Sequence, residues 1–257
     1  MKPFNFLSLA LSVILIFTLL IMSCSRQPKW TETAGTGTVR IITNPEGQTL
    51  GYSTTSGVKI LTVKGFAFKD MNRNGKLDKY EDWRLTADER AKDLASQMTI
   101  EQIAGLMLYS AHQSVPAGSR GWFASTYGGK PYEESGAAAS DLSDNQKDFL
   151  INDNLRHILI TSVESPAVSA QWNNNVQELV EGIGLGIPAN NSSDPRHNAV
   201  TNAEYNAGSG GNISMWPGSL GLAATFDPLL TREFGRIASE EYRALGIATA
   251  LSPQIDL

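Results

Sequence analysis

Apolar positions in this chain follow two rhythms. Ala91, Leu94, Ala95 and Met98 recur at the spacing of one helical face, behind a capping box made by Thr86 and Glu89. A second box, Thr99 to Gln102, starts a helix that runs into "AGLMLYS", and "DLSDNQKDFLINDNL" reads as another helix. "RHILITSV", Arg156 to Val163, is a compact strand-like run. Ser165 and Pro166 then open a helix on which Val168, Trp172, Val176 and Leu179 share one side, ending near Gly182. "LGIPANNSS" follows as a strand and its loop. Asp227 and Pro228 begin a further helix, with Leu230, Phe234, Ile237, Ala238 and Leu245 facing inward and Gly246 placed to end it. "IATALSPQIDL" is the last strand.

Strands that alternate with helices predict a parallel sheet, doubly wound or closed into a barrel. No GxGxxG follows any strand, which removes support from a dinucleotide fold. Polar clusters, "NNSSDPRHN" and "LSPQIDL", come directly after strands, where a barrel places its chemistry. Roughly four strands are legible, whereas a closed barrel has eight. Half a barrel leaves two open edges and an uncovered apolar face. The expected fold class is therefore α/β, the N-terminal part of a (β/α)8 TIM-like barrel, incomplete in this chain.

The N-terminus changes the picture of where the chain works. Lys2 precedes the apolar run Phe4 to Ser23, and a small residue, Ser23, stands directly before Cys24, the one cysteine of the chain. This is the pattern of an exported bacterial lipoprotein, with residues 1–23 as signal peptide and Cys24 as the lipidation site; an uncleaved membrane anchor is the other reading. Residues 24–57 read as a polar spacer and short extended lead-in, 58–82 as an extended segment with a metal-type loop, and 83–257 as the barrel portion. A net charge of -5 with 41% hydrophobic residues describes an ordinary globular domain, and the absence of a basic cluster excludes nucleic acid as a partner.

The loop "DMNRNGKLDKYED" carries its own chemistry. Asp70, Asn72 and Asn74 occupy the first, third and fifth places of a calcium loop, and Gly75 the sixth, where the chain turns sharply. Lys76 offers its carbonyl at the seventh, Asp78 acts through water at the ninth, and Glu81 fills the bidentate twelfth place. An Asx-rich turn leading into a helix would use the same residues. Val58 to Lys69, before the loop, is β-branched and aromatic, so it reads as extended chain. With a helix on one side only, the loop is a structural Ca2+ clip instead of an opening sensor, with an affinity on the order of 10⁻⁴ to 10⁻³ M.

At "GIPANNSSDPRHNAV", "ISMWPGSLGLAATFDPLLTREFGRIASEEYRALGIATALSPQIDL" and "RAKDLASQMTIEQIAGLM" the chain resembles the N-terminal barrel domain of glycoside hydrolase family 3, which includes exported β-glucosidases and β-xylosidases. Some bacterial members of that family carry a similar calcium-like loop ahead of the first helix. The resemblance implies a retaining enzyme that removes terminal non-reducing β-D-glycosyl residues through two carboxyl groups about 5 to 5.5 Å apart. It also implies that the nucleophile, in an "SDW"-like motif, and the acid/base residue fall outside this chain. No catalytic residue is then expected here, no cofactor for catalysis, and no hydrolysis by the chain alone. Asp194 matches the aspartate that holds sugar hydroxyls in the first subsite, a task suited to a carboxylate acceptor; as an alternative it caps a turn before Pro195. Arg196 and His197 are secondary substrate-binding candidates, and for His197 tying down the loop is the competing role. Asn198 stands where the family carries glycine. Trp216 reads as loop or core support, Trp172 as core, and Glu240 and Glu241 as helical surface charges. His112 and His157 lack companions at metal-ligand spacing. The expected partners are a β-linked oligosaccharide or glycoside and a membrane reached only through the lipid, at the periplasm or cell surface. A second hypothesis from another class is a non-catalytic carbohydrate-binding lipoprotein.

Overall fold

A computed structural model of the chain describes residues 28–120, 124–197 and 213–251. The signal segment and Cys24 lie outside the described residues, as do Asn198 and the end of "LSPQIDL".

The first strands are antiparallel. β1 (Thr31–Ala34), β2 (Val39–Thr43) and β3 (Thr49–Ser53) form a meander in that order, and β4 (Lys59–Val63) pairs with β5 (Phe66–Asp70) as a hairpin. The hairpin turns on Lys64 and Gly65, both at positive φ (55° and 89°), the backbone of a two-residue turn that matches strand twist. Val58 to Lys69 is thus extended, as its composition predicts. The stretch 24–57, read as spacer and lead-in, contains the whole meander. Its polar residues make specific contacts: Asn44 accepts from Ala67 N at 2.7 Å and donates to Ala67 O at 3.2 Å.

A parallel α/β unit follows. After a 3-10 turn (Lys79–Glu81) come α1 (Ala87–Gln97), α2 (Ile100–Leu106), β6 (Gln113–Val115), α3 (Tyr132–Ser135), α4 (Asp144–Ile151), β7 (His157–Val163), α5 (Pro166–Glu181), β8 (Asn190–Ser193), α6 (Ser219–Ala224), α7 (Pro228–Ala244) and β9 (Thr249–Ala250). The sheet order is β6-β7-β8-β9, every pair parallel. The capping boxes at Thr86/Glu89 and Thr99/Gln102 are both formed, and Asp227 caps α7 through Leu229 N and Leu230 N. The core lies where α5 meets the sheet: Trp172, Val176 and Val180 pack with Ile158, Ile160, Leu150, Tyr242 and Leu245. Trp172 is 1% exposed and donates from Nε1 to Gln146 Oε1 at 3.1 Å, so its one polar atom is satisfied inside the core.

Two parts depart from the periodicity reading. The apolar "LGIP" forms a turn, and the strand falls on the polar "NNSS", stabilised because Ser192 and Ser193 donate to the carbonyls of Ile158 and Ile160 on β7. On α1, Ala91 and Ala95 are exposed and no residue of the helix is buried, while Ile100 and Met107 beside α2 are 76% and 83% exposed. Leu220 on α6 and Phe226 just after it are 88% and 92% exposed. These stripes have the predicted spacing but no covering partner among the described residues.

Two carboxylates of α5 fasten the meander and β5 to it. Glu181 accepts from Ser53 N at 2.8 Å and from Lys69 Nζ at 2.8 Å, and Glu178 accepts from the hydroxyls of Thr38 and Thr55.

Candidate functional site

Asp194 follows β8 directly, at the carboxyl end of the parallel sheet. Its Oδ2 lies 2.9 Å from Arg196 Nη2, and the Asp194 side chain is 31% exposed. Arg196 also donates from Nε to Ser193 Oγ at 3.2 Å. Asp194, Arg196 and His197 therefore come together on one short loop, outside any helix, so Asp194 does not act as a helix cap.

That loop is held from behind by α7. The hydroxyl of Tyr242 accepts from Arg196 N at 3.0 Å and donates to the carbonyl of Asp194. Burial pushes the Tyr242 hydroxyl pKa up to about 12, so it remains a donor across the working range. His197 is 4% exposed, with its ring 4.7 Å from that of Tyr242. Its Nε2 is 2.9 Å from Glu241 Oε2 but out of hydrogen-bond alignment. Desolvation accordingly dominates and lowers its pKa, with the Glu241 charge pulling the other way. The imidazole faces inward and ties the loop to α7.

Glu241, read from sequence as a surface charge, is instead an organiser. It accepts from Ser214 N at 3.1 and 3.2 Å and from Ser214 Oγ at 2.9 Å, joining the segment before α6 to the Asp194 loop. Glu240 keeps the expected surface role, paired with Arg236 at 2.6 Å. Trp216 supports this loop: Nε1 donates to Ser214 Oγ at 2.9 Å and the indole packs edge-on against Phe234 at 5.5 Å. Tyr242 and Glu241 escaped the sequence reading, although Tyr242 falls on the stripe of Phe234, Ala238 and Leu245. His157 contacts Asn190 Nδ2 through Nδ1 at 3.2 Å, within the sheet.

The loop at the end of β5 gathers its residues differently. Asp70 is 1% exposed; Oδ2 accepts from Gly75 N at 3.0 Å, while Oδ1 is buried without a hydrogen-bond partner. Gly75 has φ of +76°, the conformation for which a sixth-place glycine is suited. Glu81, 3% exposed, accepts from Met71 N at 2.7 Å, Asn72 N at 3.3 Å and Asp78 N at 3.0 Å. Burial raises its pKa, opposed by those N–H donors. Asp78 Oδ2 accepts from the amides of Asn72 and Asn74 at 2.6 and 2.7 Å. Among the described residues no group of three or more His, Cys, Asp or Glu is drawn together as a metal cluster. The spacing argument needs less than that, because two of its side-chain positions are asparagine and one is a backbone carbonyl.

An α/β chain with a parallel sheet and a loop of Asp, Arg and His at a strand's carboxyl end has its polar chemistry where α/β enzymes place their sites. No family model matches the chain. It is 44% identical over 206 residues to a periplasmic β-glucosidase/β-xylosidase of Dickeya chrysanthemi, covering 79% of this chain and 29% of that protein. It is 33% identical over 209 residues to a probable β-glucosidase C of Aspergillus oryzae, covering 79% and 30%. Against β-glucosidase C of Emericella nidulans identity is 35% over 193 residues, 73% of this chain and 27% of the other. The chain is thus a relative of glycoside hydrolases, in agreement with its resemblance to family 3, and spans about 30% of the length of the curated relatives it matches.

Proposed function

We propose that this chain is the sugar-holding front part of an exported, retaining β-glycosidase of the glucosidase/xylosidase type. The observation that carries the reading is Asp194, part-exposed at the carboxyl end of β8, in a chain 44% identical to a β-glucosidase/β-xylosidase. Its carboxylate is positioned to accept from neighbouring sugar hydroxyls, with Arg196 alongside as a donor. Such charge-assisted bonds contribute roughly 1.5 to 3 kcal/mol each. The nucleophile and the acid/base residue are supplied by the rest of the protein, so the chain alone does not hydrolyse glycosides. The four parallel strands are the start of a (β/α)8 barrel, and the exposed Met107, Leu220 and Phe226 mark faces that later elements cover.

Export rests on the charged start and apolar run ahead of Cys24, with lipidation there tethering the protein to a membrane. Among the described residues no helix is long and apolar enough to cross a membrane.

The Asp70–Glu81 loop is a structural Ca2+ clip. The fit rests on the unbonded, buried Asp70 Oδ1: an ionised carboxylate oxygen without a donor is costly, and a hard cation is its natural partner. Asp70, Asn72, Asn74, Asp78 and Glu81 and the carbonyl of Lys76 would hold the ion, which supplies charge neutralisation and takes no part in glycoside chemistry.

The test is an assay of the complete polypeptide on 4-nitrophenyl β-D-glucoside and β-D-xyloside, with the product anomer followed by NMR. Hydrolysis with retention is expected. Sugar binding without hydrolysis would favour the second reading, a carbohydrate-binding lipoprotein, to which the same Asp194 geometry also lends itself.

A further inference from the structure

We infer that the Asp70–Glu81 loop is a cation-operated latch: Ca2+ bound there docks α1 and the turn between α5 and β8 against the N-terminal strands. The inference rests on the clip reading above and goes beyond it, from holding an ion to controlling an interface.

The loop touches three separate parts of the chain. Asp70, its first residue, ends β5. Towards α1, Tyr80 N donates to Asp93 Oδ2 at 3.0 Å, Arg90 Nε donates to Tyr80 O at 2.9 Å, and Asn72 Nδ2 reaches Gln97 Oε1 at 3.4 Å. Towards the α5–β8 turn, Arg73 Nη1 donates to Gly182 O at 3.0 Å. Met71 packs on Gly186 so closely that a Cβ there would lie 2.9 Å from Met71 Cβ. Gly182 adjoins Glu181, which binds Ser53 and Lys69 and so carries the meander and β5.

The charge balance makes this junction conditional. Asp70 and Glu81 are buried, Asp78 is adjacent, and among the described residues no Lys or Arg pairs with any of the three. Three acidic groups in one short loop repel one another, and Asp70 Oδ1 has no donor to offset its desolvation. Ca2+ relieves both terms at once. Without it the loop relaxes by opening, and opening moves Arg73 and Met71 away from the turn and Tyr80 away from Asp93 and Arg90. A weak extracellular-type site makes the interface closed where calcium is plentiful and loose where it is scarce.

Titration calorimetry with CaCl2 on the complete polypeptide, together with hydrogen exchange in roughly millimolar CaCl2 and in EDTA, tests the latch. The expected result is one bound Ca2+, a Tm rise of roughly 3–6 °C at about tenfold excess over Kd, and slower exchange at 86–97 and 182–187 as well as within the loop. Asp70→Asn should lose all three. Arg73→Ala should still bind Ca2+ while 182–187 stops responding, which keeps the test decisive if Asp70→Asn folds poorly. Binding with protection confined to 70–81 would overturn the latch and leave the clip intact. No heat and no Tm change would overturn the clip and the latch together.

Discussion

Asp70 and Asp194 occupy similar places and have opposite surroundings. Each stands at the exit of a strand and begins a polar loop. Asp70 is 1% exposed, has an unbonded Oδ1 and, among the described residues, pairs with no Lys or Arg. Asp194 is 31% exposed at its side chain and lies 2.9 Å from Arg196, on a loop clamped by Tyr242. On the proposed reading, a buried carboxylate with no cationic partner is suited to a structural cation taken from outside. A part-exposed carboxylate with an arginine alongside suits a ligand that comes and goes, because its charge is balanced before and after binding. On the proposed reading the same residue type serves structure in one loop and recognition in the other, and burial and charge partner separate the two roles.

Both loops hang from α5 and the sheet, so the largest expected effect is one that removes their common support. Trp172→Ala should cost about 3 to 5 kcal/mol in urea unfolding, because it opens a cavity in the core and removes one of the donors to Gln146 Oε1. It should loosen both loops together. Glu181→Ala comes next and should separate the two: it leaves Ser53 N without its acceptor and Lys69 without its carboxylate partner, at about 1 to 3 kcal/mol, on the Asp70 side alone. Tyr242→Phe separates them in the other direction. It removes the acceptor of Arg196 N and the donor to Asp194 O, with a loss of about 0.5 to 1.5 kcal/mol and an unchanged response to Ca2+. The smallest effect is a pH dependence confined to the Asp194 side. Burial lowers the His197 pKa, so the unfolded chain binds the proton first as pH falls below about 6.5. Stability should therefore decline on acidification through that window. His197→Gln should flatten that part of the Tm-against-pH curve.

Much of this was legible in the chain. Capping boxes are local chemistry, and those at Thr86 and Thr99 form as their spacing requires. The stripe of Trp172 and Val176 is buried because the sheet that it faces is present. The stripe of α1 is equally periodic yet uncovered, since periodicity records what a helix can bury and says nothing of whether the partner is at hand. Within "LGIPANNSS" the strand falls on the polar "NNSS" instead of the apolar start because its stability comes from hydroxyls bonding β7 carbonyls, a contact between residues far apart in sequence. Residues 24–57 read as a polar spacer and short extended lead-in, and the full meander of Thr31–Ser53 is not legible there because its anchors, Glu178 and Glu181, lie more than a hundred residues downstream. At the site, Asp194, Arg196 and His197 were adjacent in sequence and could be found there. Glu241 and Tyr242 are distant, and only the fold brings them behind the loop.

The most direct measurement is kcat/KM of the complete polypeptide on a β-glucoside for wild type and Asp194→Ala, with Tm recorded for both. The account predicts a fall of roughly ten- to a hundredfold, the loss of one or more charge-assisted bonds to the sugar, with little change in Tm. An unchanged kcat/KM would contradict it and leave Asp194 as an ornament of the Arg196 turn.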